Sequence, residues 1–459
     1  MNRPIFRLFA LFTLLFAVLI AFSSRWAVFG APALRDNPHN SRVVLEEQRV
    51  KRGVIRADDG SVLAGSRALS GGRYERRYPS GPLFALPVGF DDIQFGRAGL
   101  ERAYNDRLVG RAEELKSLVD SLVAKDRVGD NLDTSLDPKA QKVAYDALGG
   151  RKGAVVALDV RTGAVRVLAG TPSFDPDHPG QGNRFNLATQ GLFPPGSTFK
   201  TVTAAAALDT GRFQPASRVN GGNRKIISGT PLSNFGNEDF GDVDLTFALT
   251  HSINTVWAQV GVALGRDTMQ TYMERFGFGA DPPMDYPAAQ MEPSGSYRKG
   301  KVISARSRFV DLGRTAIGQA LLLVTPLQMA SVAQTIGNGG VRMEPRLVSK
   351  VIDPDGRTVD TPAPKEAQRV MSADAAAKLG TMMKSVVKEG TGTAAALQGV
   401  ELAGKTGTAE IDIANGINDL WFIGFTDKVA VAVVVAHQRG QGGTVAAPIA
   451  KQVLQALGQ

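Results

Sequence analysis

The stretch "PPGSTFKTVTAAAAL", residues 194–208, places a serine and a lysine three positions apart at the start of an apolar run. Two prolines and a glycine precede Ser197, and good helix formers follow Lys200, which predicts a buried helix that begins near the serine. Residues at positions i and i+3 lie on one face of a helix, about 5–6 Å apart. The Ser197 hydroxyl and the Lys200 amine are therefore predicted to share a proton.

This pair predicts a nucleophile and its base. A serine is a weak nucleophile until a base takes its proton, and a lysine is a base only when it is neutral. Lowering the pKa of a lysine from about 10.4 to about 7–8 requires burial or a second cation nearby. The apolar residues that surround Lys200 in the sequence predict such burial.

The same spacing occurs twice more, at Ser296–Lys299 and at Ser385–Lys388. The first match lies in a glycine-rich stretch predicted to be a loop, where no helix holds the spacing. The second lies late in a predicted helix, whose terminal carbonyls repel an oxyanion. Each match is also compatible with an ordinary surface serine and lysine, so the choice of Ser197 depends on other motifs.

Two further motifs supply groups for peptide chemistry. "THSINTVW" contains Ser252 and Asn254, a second hydroxyl for proton relay and an amide that can bind a peptide group. "LAGKTGTAE" contains Lys405 on a predicted strand, followed by a hydroxyl and a glycine. The alternative for Asn254 is a helix residue that satisfies the backbone, and for Lys405 a charge on an edge strand. The nearby "GTGT" at 390–393 has no lysine before it and is discounted as a match.

In this order, S-x-x-K, S-x-N and K-T-G resemble the signature of serine penicillin-recognising enzymes. The chain resembles the transpeptidase domain of class B penicillin-binding proteins, also in "DLWFIGF" at 419–425 and in the stretch 318–340. Upstream, "RGVIRADDGSVLA" at 52–64 and "GLERAYNDRL" at 99–108 resemble pieces of the pedestal of that class. Two stretches depart from the family pattern: G-Q-G reads Gly318-Gln319-Ala320, and R-N-G reads Asp58-Asp59-Gly60.

The resemblance implies a role for each motif residue. Ser197 would be the acylated nucleophile and Lys200 its base, while Ser252 would relay protons to the leaving amine. Asn254 would hold the donor peptide, and Lys405 would supply positive potential. The implied substrate-binding residues directly follow Lys405 and are Thr406, Gly407 and Thr408. Thr406 and Thr408 would bind the donor carboxylate. The N–H groups of Ser197 and Thr408 would form the oxyanion hole.

The order of predicted strands and helices predicts an α+β protein in which helices cover an antiparallel sheet. The resemblance implies the penicillin-recognising serine transpeptidase fold, which adds an all-helical subdomain. Strands are predicted at 153–160, 164–170, 420–426 and 429–438, and helices at 99–125, 137–148 and 447–457. Loops are predicted at 218–238 and 278–302. The predicted domains are an anchor at 1–25, a pedestal at 26–130 and a transpeptidase domain at 131–459.

The N-terminus carries an apolar run from Leu8 to Phe22, between Arg7 and Arg25. Its length favours a retained transmembrane anchor over a cleaved signal peptide, for which "GAPA" at 30–33 offers a cleavage site. With an anchor, the chain is a single-pass protein of the cytoplasmic membrane whose catalytic domain lies outside the cytoplasm.

Composition narrows the class further. The net charge of +9, with 53 Lys and Arg against 44 Asp and Glu, fits a membrane or cell-envelope surface, or simply a basic solvated surface. The sequence has no basic run with interleaved aromatic residues, so nucleic-acid binding is not predicted. The chain has no cysteine and only four histidines, none at metal-ligand spacing, and no metal or cofactor is predicted.

The sequence thus predicts a membrane-anchored D,D-transpeptidase that crosslinks peptidoglycan stem peptides through an acyl-serine and is inhibited by β-lactams. A pedestal of residues 26–130 is too short for a glycosyltransferase domain, so the resemblance implies a SEDS-type membrane glycosyltransferase as partner. The alternatives are a D,D-carboxypeptidase, a β-lactamase, a β-lactam sensor, or a non-catalytic scaffold of the polymerase.

Overall fold

The structure is a computed structural model that describes residues 3–26, 47–111 and 128–459. Its helices, numbered in chain order, are α1 Arg3–Arg25, α2 Ala85–Val88, α3 Gly99–Ala103, α4 Asn105–Leu108, α5 Pro138–Leu148, α6 Lys200–Asp209, α7 Leu245–Thr250, α8 Asn254–Leu264, α9 Arg266–Arg275, α10 Leu312–Ala316, α11 Pro326–Gly337, α12 Ala373–Glu389 and α13 Gly442–Ala456.

The strands are numbered in the same way. They are β1 Ile55–Arg56, β2 Val62–Leu69, β3 Arg73–Arg77, β4 Asp91–Asp92, β5 Gly96–Arg97, β6 Asn131–Thr134, β7 Gly153–Asp159, β8 Val165–Thr171, β9 Arg218–Asn220, β10 Lys225–Ile227, β11 Thr230–Leu232, β12 Asp242–Asp244, β13 Gly295–Arg298, β14 Lys301–Ile303, β15 Leu322–Leu323, β16 Val341–Met343, β17 Val348–Ile352, β18 Thr358–Asp360, β19 Glu366–Arg369, β20 Ala403–Asp412, β21 Ile417–Phe425 and β22 Val429–Gln438.

A five-stranded antiparallel sheet in the order β20-β21-β22-β7-β8 forms the centre of the catalytic region. Its inner strands are continuous apolar runs because both faces are buried. Val431 and Val433 pack with α5 and α13 on one face, whereas Ala432 and Val434 belong to the larger core on the other. The two predicted hairpins, β7–β8 and β21–β22, are confirmed, and β20 is left as an edge strand.

The helix α6 lies in the middle of the larger core. Every residue from Lys200 to Leu208 is buried, and α8, α9 and α12 pack around it. Threonine and alanine side chains are small, so neighbouring elements approach this helix from all sides. A single turn of 3-10 helix, Gly196–Phe199, leads into it and carries Ser197.

A second sheet joins segments that are far apart in the sequence. Its order is β18-β17-β6-β1-β2-β3, in which β1 pairs with β6 in parallel and β6 pairs with β17 in antiparallel. The strand β6 begins at the predicted domain boundary, yet its partners lie on both sides of that boundary. The division at residue 130 therefore stays a prediction.

Both segments predicted as loops contain short strands. Residues 218–238 hold β9, β10 and β11, and residues 278–302 hold β13 and the start of β14. These loop predictions were wrong because strands of three or four residues carry too little alternation to stand out from glycine and proline. The segment 99–125 was predicted to form one or two helices; its N-terminal part forms α3 and α4, and residues 112–125 lie outside the described residues.

The N-terminal helix α1 is exposed along its whole length. Among the described residues it is the one helix long and apolar enough to cross a membrane, a property that anchors and signal sequences share. The alternative cleavage site at 30–33 lies outside the described residues.

Candidate active site

Ser197 lies on a turn whose backbone is hydrogen-bonded to two other segments of the chain. Gly196 has a φ of 51°, a conformation that favours glycine, and its N–H donates to the Gly318 carbonyl at 3.0 Å. The indole N–H of buried Trp421 donates to the Pro194 carbonyl at 2.9 Å. The serine itself is half-buried. Its position is therefore set by the backbone before and beside it.

Lys200 begins α6 one turn after the serine and is fully buried. Its Nζ lies 3.0 Å from Ser197 Oγ, which confirms the proximity predicted from the i, i+3 spacing. The same nitrogen lies 2.6 Å from the Ser252 carbonyl oxygen, 3.1 Å from Ser252 Oγ and 2.7 Å from Asn254 Oδ1. The amine thus contacts Ser197, Ser252 and Asn254, the three other residues of the first two motifs.

Ser252 occupies the turn between α7 and α8. Its φ of 57° lies in the left-handed region, an uncommon conformation for a serine and one often found at functional sites. Asn254 is the first residue of α8, and its Nδ2 donates to the Ser233 carbonyl at 3.1 Å. That bond leaves Asn254 Oδ1 directed at Lys200.

Lys405 approaches from the edge strand β20 and is also fully buried. Its Nζ lies 2.9 Å from Ser252 Oγ and 3.0 Å from the Thr406 carbonyl oxygen. The two lysines therefore meet at one hydroxyl. Among the described residues, no carboxylate forms a salt bridge with either lysine.

Burial without a counter-ion disfavours the charged form of both lysines. Burial lowers the pKa of Lys405 to about 7. Burial, and next the charge of Lys405, lower the pKa of Lys200 well below its ordinary value. The structure thus favours a neutral Lys200 that can accept the proton of Ser197.

The residues after Lys405 lie on β20 beside the turn that carries Ser197. Thr406 is 6% exposed, and the Thr408 hydroxyl accepts a hydrogen bond from the Gly442 N–H at 3.2 Å. A Cβ at Gly407 would lie 2.7 Å from the Pro195 carbonyl oxygen, so this position needs glycine for the strand to reach the turn that carries Ser197. All eight motif residues named from the sequence thus lie together around Ser197, and the region that they surround is called the cleft.

The other two S-x-x-K matches do not join this cluster. Ser296 lies in β13 with no exposed surface, and Lys299 lies in the exposed turn that follows. Its predicted loop was wrong, although the absence of a helix there was correct. Ser385 lies late in α12, as predicted.

The sequence reasoning missed Thr391, whose Oγ1 lies 2.6 Å from Thr406 Oγ1. Thr391 belongs to the "GTGT" stretch that was discounted for lack of a lysine. It also missed the loop at Gly318, since nothing in the sequence signals a contact across more than a hundred residues. In the described parts of the chain, no three His, Asp or Glu side chains are grouped to hold a metal ion.

Two family models match the chain. Residues 153–455 match the penicillin binding protein transpeptidase domain. Residues 52–132 match the penicillin binding protein A dimerisation domain.

Curated relatives match along nearly the whole length. The peptidoglycan D,D-transpeptidase PbpA of Mycolicibacterium smegmatis is 34% identical, over 99% of both chains. The protein of the same name from Mycobacterium tuberculosis is 33% identical, also over 99% of both chains.

Solved structures resemble the fold closely. The ceftriaxone acyl-enzyme complex of M. tuberculosis penicillin-binding protein A has a TM-score of 0.80 and 32% identity, over 90% of this chain and 100% of that one. A D,D-transpeptidase domain from Eggerthella lenta has a TM-score of 0.78 and 32% identity, over 89% of this chain and 98% of that one. These matches confirm the predicted fold class and the prediction of a transpeptidase. The chain belongs to the penicillin-binding protein transpeptidase family.

Proposed function

We propose that the chain is a membrane-anchored D,D-transpeptidase that crosslinks peptidoglycan stem peptides and is acylated by β-lactams. One observation carries the proposal: the buried amine of Lys200, which has no carboxylate partner among the described residues, lies 3.0 Å from Ser197 Oγ. The names of the relatives and the acyl-enzyme complexes of the similar structures support the same reaction.

Acylation begins when the neutral amine of Lys200 takes the proton of Ser197. The serine oxygen attacks the carbonyl carbon of the penultimate D-Ala, and the peptide bond to the terminal D-Ala breaks. Ser252 Oγ, within 3.1 Å of Lys200 Nζ, relays the proton to the leaving amine. The products are an ester on Ser197 and free D-Ala. Deacylation reverses these proton movements with the amine of a neighbouring stem as nucleophile.

The oxyanion of each step requires two N–H donors. We assign them to Ser197 and Thr408, as the family resemblance implies. The first N–H groups of a helical turn have no partner within it, and Ser197 is on such a turn. A Cβ at Gly196 would lie 3.0 Å from the Thr408 carbonyl oxygen, so the two backbone segments are adjacent. Such a donor is worth about 2.7–4 kcal/mol in the transition state.

The strand β20 binds the donor peptide in this proposal. As an edge strand it can pair with an extended peptide, and Asn254 holds the peptide from the opposite side. Thr406 and Thr408 bind the terminal carboxylate. That carboxylate also raises the pKa of Lys405 when it binds, because opposite charges stabilise each other.

Intact-mass spectrometry of the purified chain with penicillin tests the reaction. We expect a stable adduct that maps to Ser197 and is lost in Ser197→Ala. Ser385→Ala is the matched control, because it removes a serine of the same spacing outside the cleft. An adduct that persists in Ser197→Ala contradicts the assignment of the nucleophile.

Product analysis on stem pentapeptides distinguishes the alternatives. A crosslinked dimer with a suitable amine acceptor supports transpeptidation. Release of D-Ala without transfer in the presence of that acceptor supports a D,D-carboxypeptidase. A folded chain that does neither, and takes no penicillin, supports a non-catalytic scaffold.

We further propose that α1 is a retained single-pass anchor in the cytoplasmic membrane, with the catalytic region outside the cytoplasm. The long exposed apolar surface of α1 supports an anchor. Membrane fractionation with N-terminal sequencing tests it. A mature chain that begins near residue 34 would show a cleaved signal peptide instead.

A SEDS-type membrane glycosyltransferase is the proposed partner that supplies the glycan strands. The support is the family resemblance and the short segment between α1 and the catalytic region. Crosslinking from α1 and from the 52–132 region to co-expressed polymerase tests this partner. Crosslinks that form equally with an unrelated membrane protein contradict it.

A further inference from the structure

Thr391 is held in place by its backbone on the rim of the cleft. Its N–H faces the carbonyl of Thr250 at 3.4 Å, two residues before Ser252. A Cβ at the preceding Gly390 would lie 2.4 Å from that carbonyl oxygen. On the other side, a Cβ at Gly443 would lie 2.3 Å from the Thr391 carbonyl oxygen. The loop is thus packed between α7 and the start of α13.

The side chain of Thr391 points to β20. Its Oγ1 lies 2.6 Å from Thr406 Oγ1, a short distance for two neutral hydroxyls. In the described part of the chain, this is the one hydrogen bond recorded for either hydroxyl. Thr391 is exposed, whereas Thr406 is 6% exposed, so the pair connects the open cleft with the buried strand.

Each threonine hydroxyl has one proton to donate, whereas a carboxylate only accepts. Thr406 can donate to a bound carboxylate only if its proton is not donated to Thr391. In that state Thr391 must be the donor of the pair. The result is a chain of hydrogen bonds from Thr391 to Thr406 to the carboxylate, in which each bond polarises the next.

We propose that Thr391 is a positioning residue that orients the Thr406 hydroxyl toward the carboxylate of the donor peptide. The inference rests on the proposed function, in which Thr406 binds that carboxylate. Thr391 itself acts through Thr406 and takes no part in proton transfer at Ser197.

The test compares the acylation of the full-length chain, in detergent, by benzylpenicillin and by its methyl ester, which lacks the carboxylate. Thr391→Val keeps the shape of the side chain and removes the hydroxyl. We expect the second-order rate constant for the free acid to fall about threefold to tenfold, the range for one lost hydrogen bond. The loss should lie in the binding constant rather than in the limiting rate, and the ester should be unaffected.

Three variants accompany this experiment. Thr391→Ser restores the hydroxyl and should restore the rate. Thr393→Val removes an exposed threonine of the same loop and should behave as the wild type. Thr391→Ala repeats the test if the valine variant melts at a lower temperature than the wild type.

The outcomes separate this inference from the proposed function. If the wild type reacts faster with the acid than with the ester, and both Thr391→Val and Thr391→Ala keep the same preference, the inference about Thr391 is overturned and the proposed function stands. Equal losses with acid and ester also overturn it, because a general structural defect acts on both. A wild type that reacts equally with acid and ester overturns the role of Thr406, and the inference with it.

Discussion

At the scale of single residues, two buried lysines share the hydroxyl of Ser252. Two ammonium groups that approach one oxygen repel each other, so protonation of Lys405 lowers the proton affinity of Lys200. In the proposed mechanism, the proton affinity of the base Lys200 is therefore lowered by its neighbour Lys405 as well as by burial. This coupling leads to a prediction about pH.

The rate of Ser197 acylation by penicillin should rise with pH as Lys200 loses its proton, and then level off. In Lys405→Met one cause of the low pKa of Lys200 is gone, so the rising limb should move to higher pH. In Lys405→Arg the charge remains, and the limb should not move to higher pH. Stopped-flow acylation across pH 5–10 measures both. A limb that moves to lower pH in Lys405→Met contradicts the coupling.

Ala320 has a φ of 64°, at the position where the family motif has glycine. A left-handed conformation costs a residue with a Cβ about 1–2 kcal/mol. We expect Ala320→Gly to raise the free energy of unfolding by about 1 kcal/mol, measured by urea denaturation. Ala396→Gly, outside the left-handed region, is the control and should not stabilise. A loss of stability in Ala320→Gly would show that the alanine methyl packs favourably.

The sequence was sufficient to name the eight residues of the three motifs, because each motif is local and its chemistry fixes the residue types. Thr391 could not be named in the same way. Its importance comes from a contact with Thr406 across fifteen residues of unrelated loop and strand. Only the folded chain brings these two hydroxyls together.

At the scale of elements, the distance between β20 and the turn of Ser197 decides the shape of the cleft. A Cβ at Gly407 would lie 2.7 Å from the Pro195 carbonyl oxygen and 3.0 Å from Trp421 Cβ. Neither neighbour can yield cheaply, since one is backbone and the other is a buried side chain on β21.

Gly407→Ala should therefore push β20 away from Ser197 and lower the acylation rate more than tenfold, because small displacements of reacting groups are costly. Gly65→Ala is the matched control, since its Cβ would make an ordinary contact at 3.5 Å in another strand. Acylation kinetics of both variants, with circular dichroism to confirm folding, provide the measurement. An unchanged rate in Gly407→Ala would mean that the strand can shift without moving the site.

Elements were predictable in proportion to their length and burial. The strands β7, β8, β21 and β22 are seven to ten residues long and mostly apolar, so they were visible in the sequence. The strands β10 and β13 have three and four residues. Strands this short form because a neighbour pairs with them, which is information that the local sequence lacks.

At the scale of the whole molecule, the buried lysines make stability depend on pH. A lysine with a lowered folded pKa binds fewer protons folded than unfolded, so stability rises with pH between the two pKa values. For Lys405 this window runs from about 7 to the ordinary lysine pKa of about 10.4. Below the window the folded state must bury an ammonium.

We expect the free energy of unfolding of the wild type, relative to Lys405→Met, to rise between pH 7 and pH 9. The slope should approach about 1.4 kcal/mol per pH unit for one lysine. Urea denaturation at a series of pH values measures it. Lys428→Met replaces an exposed lysine and should show no such slope relative to the wild type. A relative stability that does not change between pH 7 and pH 9 would mean that Lys405 stays protonated in the folded state and would contradict the lowered pKa.

The parallel pairing of β1 with β6 has a mechanical consequence. Tension that draws Val54 toward the N-terminus, while α5 holds the end of β6, loads this pair along its length. Three hydrogen bonds resist this load. The Leu132 N–H donates to the Val54 carbonyl at 2.8 Å, and the Val54 N–H donates to Asn131 Oδ1 at 2.8 Å. The Thr134 hydroxyl donates to the Arg56 carbonyl at 2.9 Å. Loaded in shear, they share the force and break together. The pairing of β1 with β6 therefore resists tension along the two strands better than tension that peels them apart.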